Sequence, residues 1–419
     1  MFEIFQKYES NVRSYCRKYP VIFDRALNSE IYSVDGQRYI DFLAVAGSIN
    51  YGHNNPYIKG AILDYLSEDR LINSLDMYTK AKEDFIRTFE ELILIPRNLD
   101  YKIMCCGSTG TNAVEAALKL ARKNKKRTNV FAFSGAFHGM SIGSLACTTD
   151  RISREGAGFP LTNVTFLPYC NSKADSIGYL RELLADDHSG VDKPAAIILE
   201  TVQAEGGINV ANVDWLKEIR AICDENDIMM IVDDIQVGNG RSGTFFSFER
   251  AGIVPDLVVL SKSISGFGIP MSLLLMKPEF DIFRPAEHNG TFRGNQLAFV
   301  GGKAALEYFT DTNLPNEVKR KGTVIENYIK SEICPMDDGI KYRGIGMIWG
   351  IDFIDIDGKI AVECVHKSFD NHLILEVAGR ADSVLKIMPP LTICDSELVE
   401  GLQIVKTAVK ETLENINKK

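Results

Sequence analysis

Short runs of consecutive apolar residues alternate with amphipathic segments between about residues 129 and 265. Runs of four or five apolar residues are typical of strands buried on both faces of a sheet, and the segments between them are typical of crossover helices. In residues 214–222, for example, Trp215, Ile219 and Ile222 fall on one helical face. The pattern predicts an α/β fold with a mostly parallel central sheet.

The pattern before this stretch is different. Residues 31–34 and 38–42 flank the pair Asp35-Gly36, a turn signal that predicts a β-hairpin. Residues 56–125 are predicted to be mostly helical.

After residue 303 the alternation ends. The pattern there predicts a long helix from Gly302 to about Lys330, strands near 341–343 and 347–351, and a C-terminal helix from Glu397. We therefore expect a large domain over residues 51–304 and a smaller α+β domain built from residues 1–50 and 305–419.

Composition narrows the class of protein. The chain has 419 residues, 45% apolar and 25% charged residues, and a net charge of −9, which argues against nucleic acid as a partner. Its nine cysteines are irregularly spaced and form no zinc-binding pattern, so we expect no metal site and reduced thiols in the cytoplasm. No secretory signal and no apolar stretch of about 20 residues is found, so no membrane span is expected.

Three of the predicted strands are followed by ionisable residues. Residues 195–199 lead into Glu200, residues 228–232 lead into Asp233, and residues 257–260 lead through a serine to Lys262. Ligands of open α/β sheets bind at the carboxyl ends of the strands. Desolvation there lowers the pKa of a lysine, so Lys262 is a candidate for Schiff-base chemistry.

A loop rich in glycine and hydroxyl groups, residues 107–112, opens a predicted helix at residues 113–122. Backbone N–H groups and the helix dipole make an anion site at such a position. Asn112 and Glu115 are predicted to form its capping box. A well-capped helix without a ligand explains the loop equally simply.

Two further side chains have alternative interpretations. Phe137, in the triplet Phe137-His138-Gly139, follows an apolar strand and is placed to stack on a planar heterocycle, although a core Phe beside a surface His is common. Asp233 is placed to pair with a cation such as a protonated pyridine nitrogen, although a capping or salt-bridging Asp is also common.

Taken together, these motifs resemble those of the class III (ornithine/acetylornithine/GABA-type) aminotransferases, which are fold-type-I pyridoxal-phosphate enzymes. The resemblance runs from about Asp35-Gly36 to Pro389-Pro390-Leu391. The segments that carry it are Ser108-Thr109-Gly110-Thr111, Phe137-His138-Gly139, Asp233-Asp234-Ile235-Gln236, Gly240-Arg241-Ser242-Gly243, Ser261-Lys262, Gly290-Thr291-Phe292 and Arg343-Gly344-Ile345-Gly346.

The resemblance implies pyridoxal 5'-phosphate as the cofactor, with Lys262 as its covalent anchor and proton shuttle and Asp233 as the partner of the ring nitrogen. Gln236 is implied to contact the ring hydroxyl oxygen. The cofactor contacts implied are Thr109, Gly110, Thr111, Phe137, His138, Glu200, Asp233, Gln236, Lys262 and Thr291. Because Thr291 is implied to reach the phosphate of the neighbouring subunit, we expect a homodimer or a dimer of dimers.

The substrates are implied at the level of the subfamily, by segments 12–17, 50–56, 263–268 and 287–295. They imply ω-transamination in which glutamate supplies the amine and L-aspartate 4-semialdehyde becomes L-2,4-diaminobutyrate, leaving 2-oxoglutarate. Ectoine synthesis and the supply of a peptide or siderophore precursor use the same chemistry, so the pathway stays open.

Two positions depart from the family pattern. Ornithine- and GABA-type members often carry Arg where this chain has Met140, and ornithine-type members pair a Glu, here Glu205, with an Arg where this chain has Lys386. We expect Glu205 and Lys386 to form the equivalent pair. Alternatives are another class III ω-aminotransferase, an aminomutase or racemase of the same fold, and a cofactor-binding regulator.

Overall fold

The computed structural model describes residues 2–416. Residue 1 and residues 417–419, the ends of the predicted terminal domain, lie outside the described residues. The strands are β1 Phe23–Leu27, β2 Glu30–Ser33, β3 Arg38–Asp41, β4 Lys102–Gly107, β5 Val130–Phe133, β6 Val164–Leu167, β7 Ala196–Leu199, β8 Val202–Gln203, β9 Asn209–Val210, β10 Met229–Asp233, β11 Leu257–Leu260, β12 Ser272–Met276, β13 Lys341–Ile345, β14 Ile348–Asp352, β15 Leu373–Ile374, β16 Glu376–Ala378 and β17 Val384–Ile387.

The helices are α1 Glu3–Tyr8, α2 Tyr15–Lys18, α3 Ala44–Gly47, α4 Pro56–Leu66, α5 Lys80–Phe89, α6 Gly110–Lys125, α7 Ile142–Cys147, α8 Arg151–Arg154, α9 Ser176–Ala185, α10 Val213–Glu225, α11 Gln296–Asp311, α12 Leu314–Tyr328, α13 Lys359–Asp370 and α14 Asp395–Ile416. Short π-helical turns extend α5 and α12. No helix within residues 2–416 combines the length and the apolar character needed to cross a membrane.

The central sheet has seven strands in the order β4-β12-β11-β10-β7-β5-β6. Strands β11, β10, β7, β5 and β6 are parallel, whereas β12 runs antiparallel to both of its neighbours. The predicted α/β fold with a mostly parallel sheet is therefore confirmed. Helix α10 connects β7 to the parallel β10, as the apolar face of residues 214–222 predicted.

The parallel strands are buried because helices cover both faces of the sheet. All residues of β5, β7, β10 and β11 are buried. Side chains of β10 point alternately into two hydrophobic clusters: Met230 and Val232 belong to one, and Met229 and Ile231 belong to the other. This burial explains the continuous apolar runs in the sequence.

Two smaller sheets hold the rest of the strands. One has the order β1-β2-β3-β15 and the other the order β13-β14-β17-β16. The hairpin predicted around Asp35-Gly36 is formed by β2 and β3. Because β15 pairs with β3, the N-terminal strands share a sheet with a strand from the last fifty residues of the chain. The boundaries proposed for two domains stay a prediction.

Two sequence-based predictions differ from the structure. Strand β4 lies inside the segment that was predicted to be helical; it lies at the edge of the sheet, pairs with β12 and is only partly buried. The helix predicted from Gly302 to Lys330 is two helices, α11 and α12, because Asn313 has a left-handed φ of 56° and a proline lies in the first turn of α12.

A buried arginine ties the central sheet to the terminal segments. Arg241 is fully buried, and its guanidinium donates to the carbonyl oxygens of Met347 (2.9 Å) and Pro389 and to Oδ1 of Asn50 (2.6 Å). These acceptors lie on three separate segments of the chain. Arg241 therefore fixes the position of the terminal segments around the carboxyl edge of the sheet.

Candidate active site

The three neighbouring strands β11, β10 and β7 bring Lys262, Asp233 and Glu200 to one edge of the sheet. They line a cavity of about 160 Å³. The predicted site residues that line this cavity are Gly110, Thr111, Phe137, His138, Glu200, Glu205, Asp233, Gln236 and Lys262. Thr109, Thr291 and Lys386 are not part of the cavity wall.

Lys262 follows β11 in a short 3-10 turn and has a left-handed φ of 51°. Such a conformation is strained for a residue with a side chain and is often found at functional sites. Burial lowers the pKa of the Lys262 amine to about 8, although the negative charge of Glu205 partly opposes the shift. A sizeable fraction of this amine is uncharged, and hence nucleophilic, near neutral pH.

Asp233 is held in place by hydrogen bonds to both carboxylate oxygens. Nδ1 of His138 donates to Oδ2 at 2.7 Å, and the backbone N–H of Ile235 donates to Oδ1 at 3.2 Å. Asp233 and His138 are both buried. The arrangement presents a fixed carboxylate at the cavity, which is suited to pairing with a cationic ring nitrogen.

Glu200 positions Phe137. Its Oε1 accepts a hydrogen bond from the backbone N–H of Phe137 at 3.0 Å. Burial, together with the nearby charge of Asp233, raises the pKa of Glu200 well above its ordinary value. Glu200 thus fixes the segment that carries the aromatic ring beside the cavity.

The first turn of α6 reaches the cavity through Gly110 and Thr111. Helix α6 begins after Thr109, whose backbone N–H and hydroxyl both donate to Oδ1 of Asn112 at 3.1 Å. The predicted capping box of Asn112 with Glu115 is therefore wrong, because the capping partner of Asn112 is Thr109. The first N–H groups of the helix have no intrahelical acceptor and can bind an anion.

Glu115 instead supports the segment after Gly139. Its Oε1 accepts hydrogen bonds from the hydroxyl of Ser141 (2.8 Å) and from the backbone N–H of Ser144 (3.0 Å). Both serine hydroxyls also lie within hydrogen-bond distance of Oγ1 of Thr111, at 2.6 and 2.5 Å. A Cβ at Gly139 would lie 2.6 Å from the same oxygen, so this close approach requires glycine.

Gln236 connects the cavity to the strained turn α3. Its Nε2 donates to the carbonyl oxygen of Ala46 at 2.9 Å. Val45 and Ala46 both have a left-handed φ, near 50°. Within residues 2–416 the buried Oε1 of Gln236 has no hydrogen-bond partner, so it is free to contact a ligand in the cavity.

Glu205 and Lys386 lie together, at 2.8 Å between Oε1 and Nζ. Lys386 is fully buried, whereas the side chain of Glu205 is 35% exposed and lines the cavity. Burial alone would raise the pKa of Glu205, but the ammonium groups of Lys386 and Lys262 outweigh it and lower the pKa to about 2. A second carboxylate, Glu376, also contacts Lys386, at 2.7 Å.

Thr291 lies on an exposed segment away from the cavity of its own chain. Its carbonyl oxygen accepts a hydrogen bond from Nδ2 of Asn73 at 3.3 Å. The neighbouring Phe292 is also exposed, at 66%, and so is Met140, at 59%.

The residues around the cavity fit pyridoxal 5'-phosphate. The N-terminus of α6 suits its phosphate, the Asp233 carboxylate suits its ring nitrogen, and the Lys262 amine suits its aldehyde. The unpaired Oε1 of Gln236 gives a further polar contact. Packing alone does not explain why these ionisable side chains are buried beside a cavity, since burying them costs free energy.

Sequence reasoning missed Glu376, Ser141 and Ser144. An acidic residue inside the apolar run 373–378 was a usable signal for Glu376. The two serines gave no signal, because serine is common in loops and only the fold brings them to Thr111.

A mostly parallel sheet with a lysine and two acids at its carboxyl edge defines a fold-type-I pyridoxal-phosphate enzyme. Comparison with known proteins gives the family: the model of "Aminotransferase class-III" matches residues 13–409, and the chain belongs to this family.

Similar proteins include two curated transaminases. The chain is 50% identical to the diaminobutyrate–2-oxoglutarate transaminase of Streptomyces avermitilis, over 98% of each chain. It is 48% identical to the enzyme of the same name from Halomonas elongata, over 98% of this chain and 99% of the relative.

Solved structures give the same class. The ornithine aminotransferase from Toxoplasma gondii has a TM-score of 0.87 and 25% identity, covering 100% of this chain and 95% of that one. The acetylornithine aminotransferase from Elizabethkingia anophelis has a TM-score of 0.81 and 26% identity, covering 98% of each chain.

We predict that Lys262 is the fastest-labelled lysine of the cofactor-free protein at neutral pH. At about pH 7.5 roughly a quarter of an amine with a pKa near 8 is uncharged, against about a thousandth of an ordinary lysine. Labelling with an acetylating reagent, read by mass spectrometry, should rise with pH to a midpoint near 8. Exposed Lys59 is the internal reference.

Glu205→Gln should move that midpoint to lower pH, because the Glu205 charge raises the pKa of Lys262. A midpoint above about pH 10, as for an ordinary lysine, would contradict the prediction.

Proposed function

We propose that this aminotransferase transfers the amino group of glutamate to L-aspartate 4-semialdehyde, giving L-2,4-diaminobutyrate and 2-oxoglutarate. The proposal is carried by one observation: a chain half identical, over 98% of its length, to a diaminobutyrate–2-oxoglutarate transaminase brings Lys262, Asp233 and Gln236 to one cavity.

Lys262 is the residue proposed to move the proton. Pyridoxal 5'-phosphate would supply an aldehyde group that carries nitrogen between the two substrates and a protonated ring that withdraws electrons from the reacting carbon. The partly uncharged Nζ of Lys262 would provide the attachment point and then accept and return the proton of the reacting carbon. Its lowered pKa suits both roles at neutral pH.

Asp233, Gln236 and Phe137 are proposed to orient the cofactor. Asp233 remains fixed by His138, so it can hold a proton on the ring nitrogen without moving. Thr109, Gly110 and Thr111 are proposed to hold the phosphate at the start of α6, and Glu200 acts through the backbone of Phe137.

Glu205 and Lys386 are proposed to accommodate the two substrates in turn. Diaminobutyrate reacts through its terminal amine and keeps its carboxylate away from the reacting atom, whereas glutamate reacts through its α-amine with a carboxylate close by. The Glu205 carboxylate must therefore withdraw when glutamate binds. Lys386 offers a single point charge, without the bidentate fork of an arginine, so it holds Glu205 less rigidly.

The backbone of Glu205 is fixed, which limits this motion to the side chain. The carbonyl oxygens of residues 205, 206 and 207 accept hydrogen bonds from the backbone N–H of Gly379 (2.9 Å), Nδ2 of Asn209 (2.9 Å) and Nε of Arg343 (2.7 Å). With the backbone clamped in this way, a change of rotamer is the available response.

A homodimer is proposed in which Thr291 contacts the phosphate of the neighbouring subunit. Large apolar side chains are exposed next to the Thr291 segment, a feature typical of subunit interfaces: Leu71, Ile72, Leu75, Met77, Tyr78 and Phe292. Segments 72–75 and 291–296 are joined by hydrogen bonds, so these side chains form one surface. A dimer of dimers is equally compatible with this surface.

We predict that the purified protein with pyridoxal 5'-phosphate uses diaminobutyrate and 2-oxoglutarate at least about tenfold better, in kcat/KM, than ornithine, N-acetylornithine or 4-aminobutyrate; tenfold corresponds to ~1.4 kcal/mol of transition-state discrimination. Lys262→Ala should show no turnover and no borohydride-reducible attachment of the cofactor. Circular dichroism checks that the variant folds.

Preference for another amine donor would exclude the proposed substrate. Product formation without any 2-oxo acid would indicate an aminomutase or racemase, and no turnover would indicate a regulator.

We predict that Thr291→Val weakens cofactor binding about tenfold, as expected for the loss of one hydrogen bond to a charged group. In a mixed dimer of Lys262→Ala and Thr291→Val chains, the site with intact Lys262 receives Thr291 from its partner. Half of the wild-type activity per dimer should return. If Thr291 acts within its own chain, the mixed dimer should be no more active than the Thr291→Val homodimer per intact lysine.

The proposed pathway is ectoine synthesis in the cytoplasm. It is supported by the segments that resemble the ectoine subfamily and, for the compartment, by nine cysteines that are all free thiols. Deletion of the gene should abolish ectoine accumulation, and added diaminobutyrate should restore it. Undiminished ectoine would point to a peptide or siderophore precursor, and fractionation of the cells tests the compartment.

A further inference from the structure

Lys386 has two carboxylate partners, and only one of them reaches the cavity. Glu376 lies directly opposite Lys386 in the antiparallel pairing of β16 with β17. The distance from Nζ of Lys386 to Oε1 of Glu376 is 2.7 Å, as short as the contact with Glu205. The side chain of Glu376 is 5% exposed, and it is not among the residues that line the cavity.

Tyr15 fixes the second carboxylate oxygen of Glu376. The Tyr15 hydroxyl, on α2, donates to Oε2 of Glu376 at 3.1 Å. Tyr19 is the residue that follows α2. Its hydroxyl donates to the carbonyl oxygen of Leu375 at 2.5 Å. Segment 12–17, which resembled the subfamily in sequence but took no part in the proposed mechanism, therefore reaches the charge cluster.

The cluster of Lys386, Glu205 and Glu376 carries one positive and two negative charges. A simple pair of one Lys and one Glu is neutral, so Glu376 adds a full negative charge behind the cavity wall. Lys386 and Glu376 are buried, and charges in such positions are screened less by water and salt than surface charges are.

The two amino acids of the proposed reaction, diaminobutyrate and glutamate, differ in charge by two units. At neutral pH diaminobutyrate carries two ammonium groups and one carboxylate, for a net charge of +1, whereas glutamate carries a net charge of −1. A net negative cluster beside the cavity attracts the first and repels the second.

We propose that Glu376 is a positioning residue that sets the charge of the substrate cavity, and so balances the affinity for the diamino acid against that for the dicarboxylic acid, both of which the cavity must accept in turn. It acts through Lys386 and does not touch the substrate. The identity of the diamino acid rests on the function proposed above. Glu376 also keeps Lys386 paired when the Glu205 side chain withdraws, which avoids leaving an unpaired buried ammonium group.

The test is to neutralise Glu376 and compare ligands of opposite charge. In the holoenzyme, Glu376→Gln should raise the KM of diaminobutyrate about fivefold and lower the Kd of glutarate, an unreactive dicarboxylate, about fivefold, as expected for removing one charge near the cavity. The Kd is read from the cofactor absorbance. Changes of both constants in the same direction, or no change, would overturn the proposal.

Control variants separate charge from packing. Glu376→Asp keeps the charge and should keep the ratio of the two constants within about twofold of wild type. Glu332→Gln removes the same charge from a surface pair with Lys406 and should change neither constant. If Glu376→Gln does not fold, Glu376→Met makes the same change of charge.

Lys386→Ala changes the charge in the opposite sense. It should weaken the binding of glutarate and 2-oxoglutarate more than the binding of diaminobutyrate. Lys406→Ala is the matched surface control. The glutarate measurement does not depend on the amino donor. If the wild-type enzyme does not use diaminobutyrate, the proposed function is wrong. The effect of Glu376→Gln on the Kd of glutarate still tests the role of Glu376.

Discussion

The parallel alignment of β7, β10 and β11 is the constraint on which the site depends. Parallel neighbours end at the same edge, so Glu200, Asp233 and Lys262 meet there although about thirty residues of chain separate each from the next. The side chains at that edge are themselves buried, Glu200 and Asp233 among them. Burial then lowers the pKa of Lys262 and raises that of Glu200. Both shifts favour the uncharged form of the side chain.

Buried charge in this protein is tolerated because each group has a fixed partner. His138 binds Asp233, Lys386 lies between two carboxylates, and Arg241 donates to three oxygen atoms. A buried charge without a partner is strongly destabilising. Lys262 is the exception, since Glu205, the negative charge that acts on it most strongly, is already paired with Lys386, and an amine in that position is ready to react.

The sequence was sufficient for the α/β class, the crossover helix α10 and the residues at the strand ends, because burial on both faces leaves continuous apolar runs. It was insufficient for β4, which is only partly buried, and for the break between α11 and α12, which depends on the left-handed Asn313. An acidic residue in an apolar run marked Glu376, but its partner Lys386 follows only from strand pairing. Thr291 was identified from a motif alone, and in the single chain its side chain is exposed and does not line the cavity.

Because β16 pairs with β17, the length of the connection between them affects the charge of the substrate cavity. Successive side chains of a strand point to opposite faces, so a shift of one residue would turn Glu376 away from Lys386. The connection from Gly379 to Ser383 also supplies the N–H that holds the Glu205 backbone. An insertion or deletion there would leave the sheet recognisable and alter the substrates that it accepts. The mostly exposed connection at residues 186–190 carries no such restriction, and an insertion there is expected to leave the site unchanged.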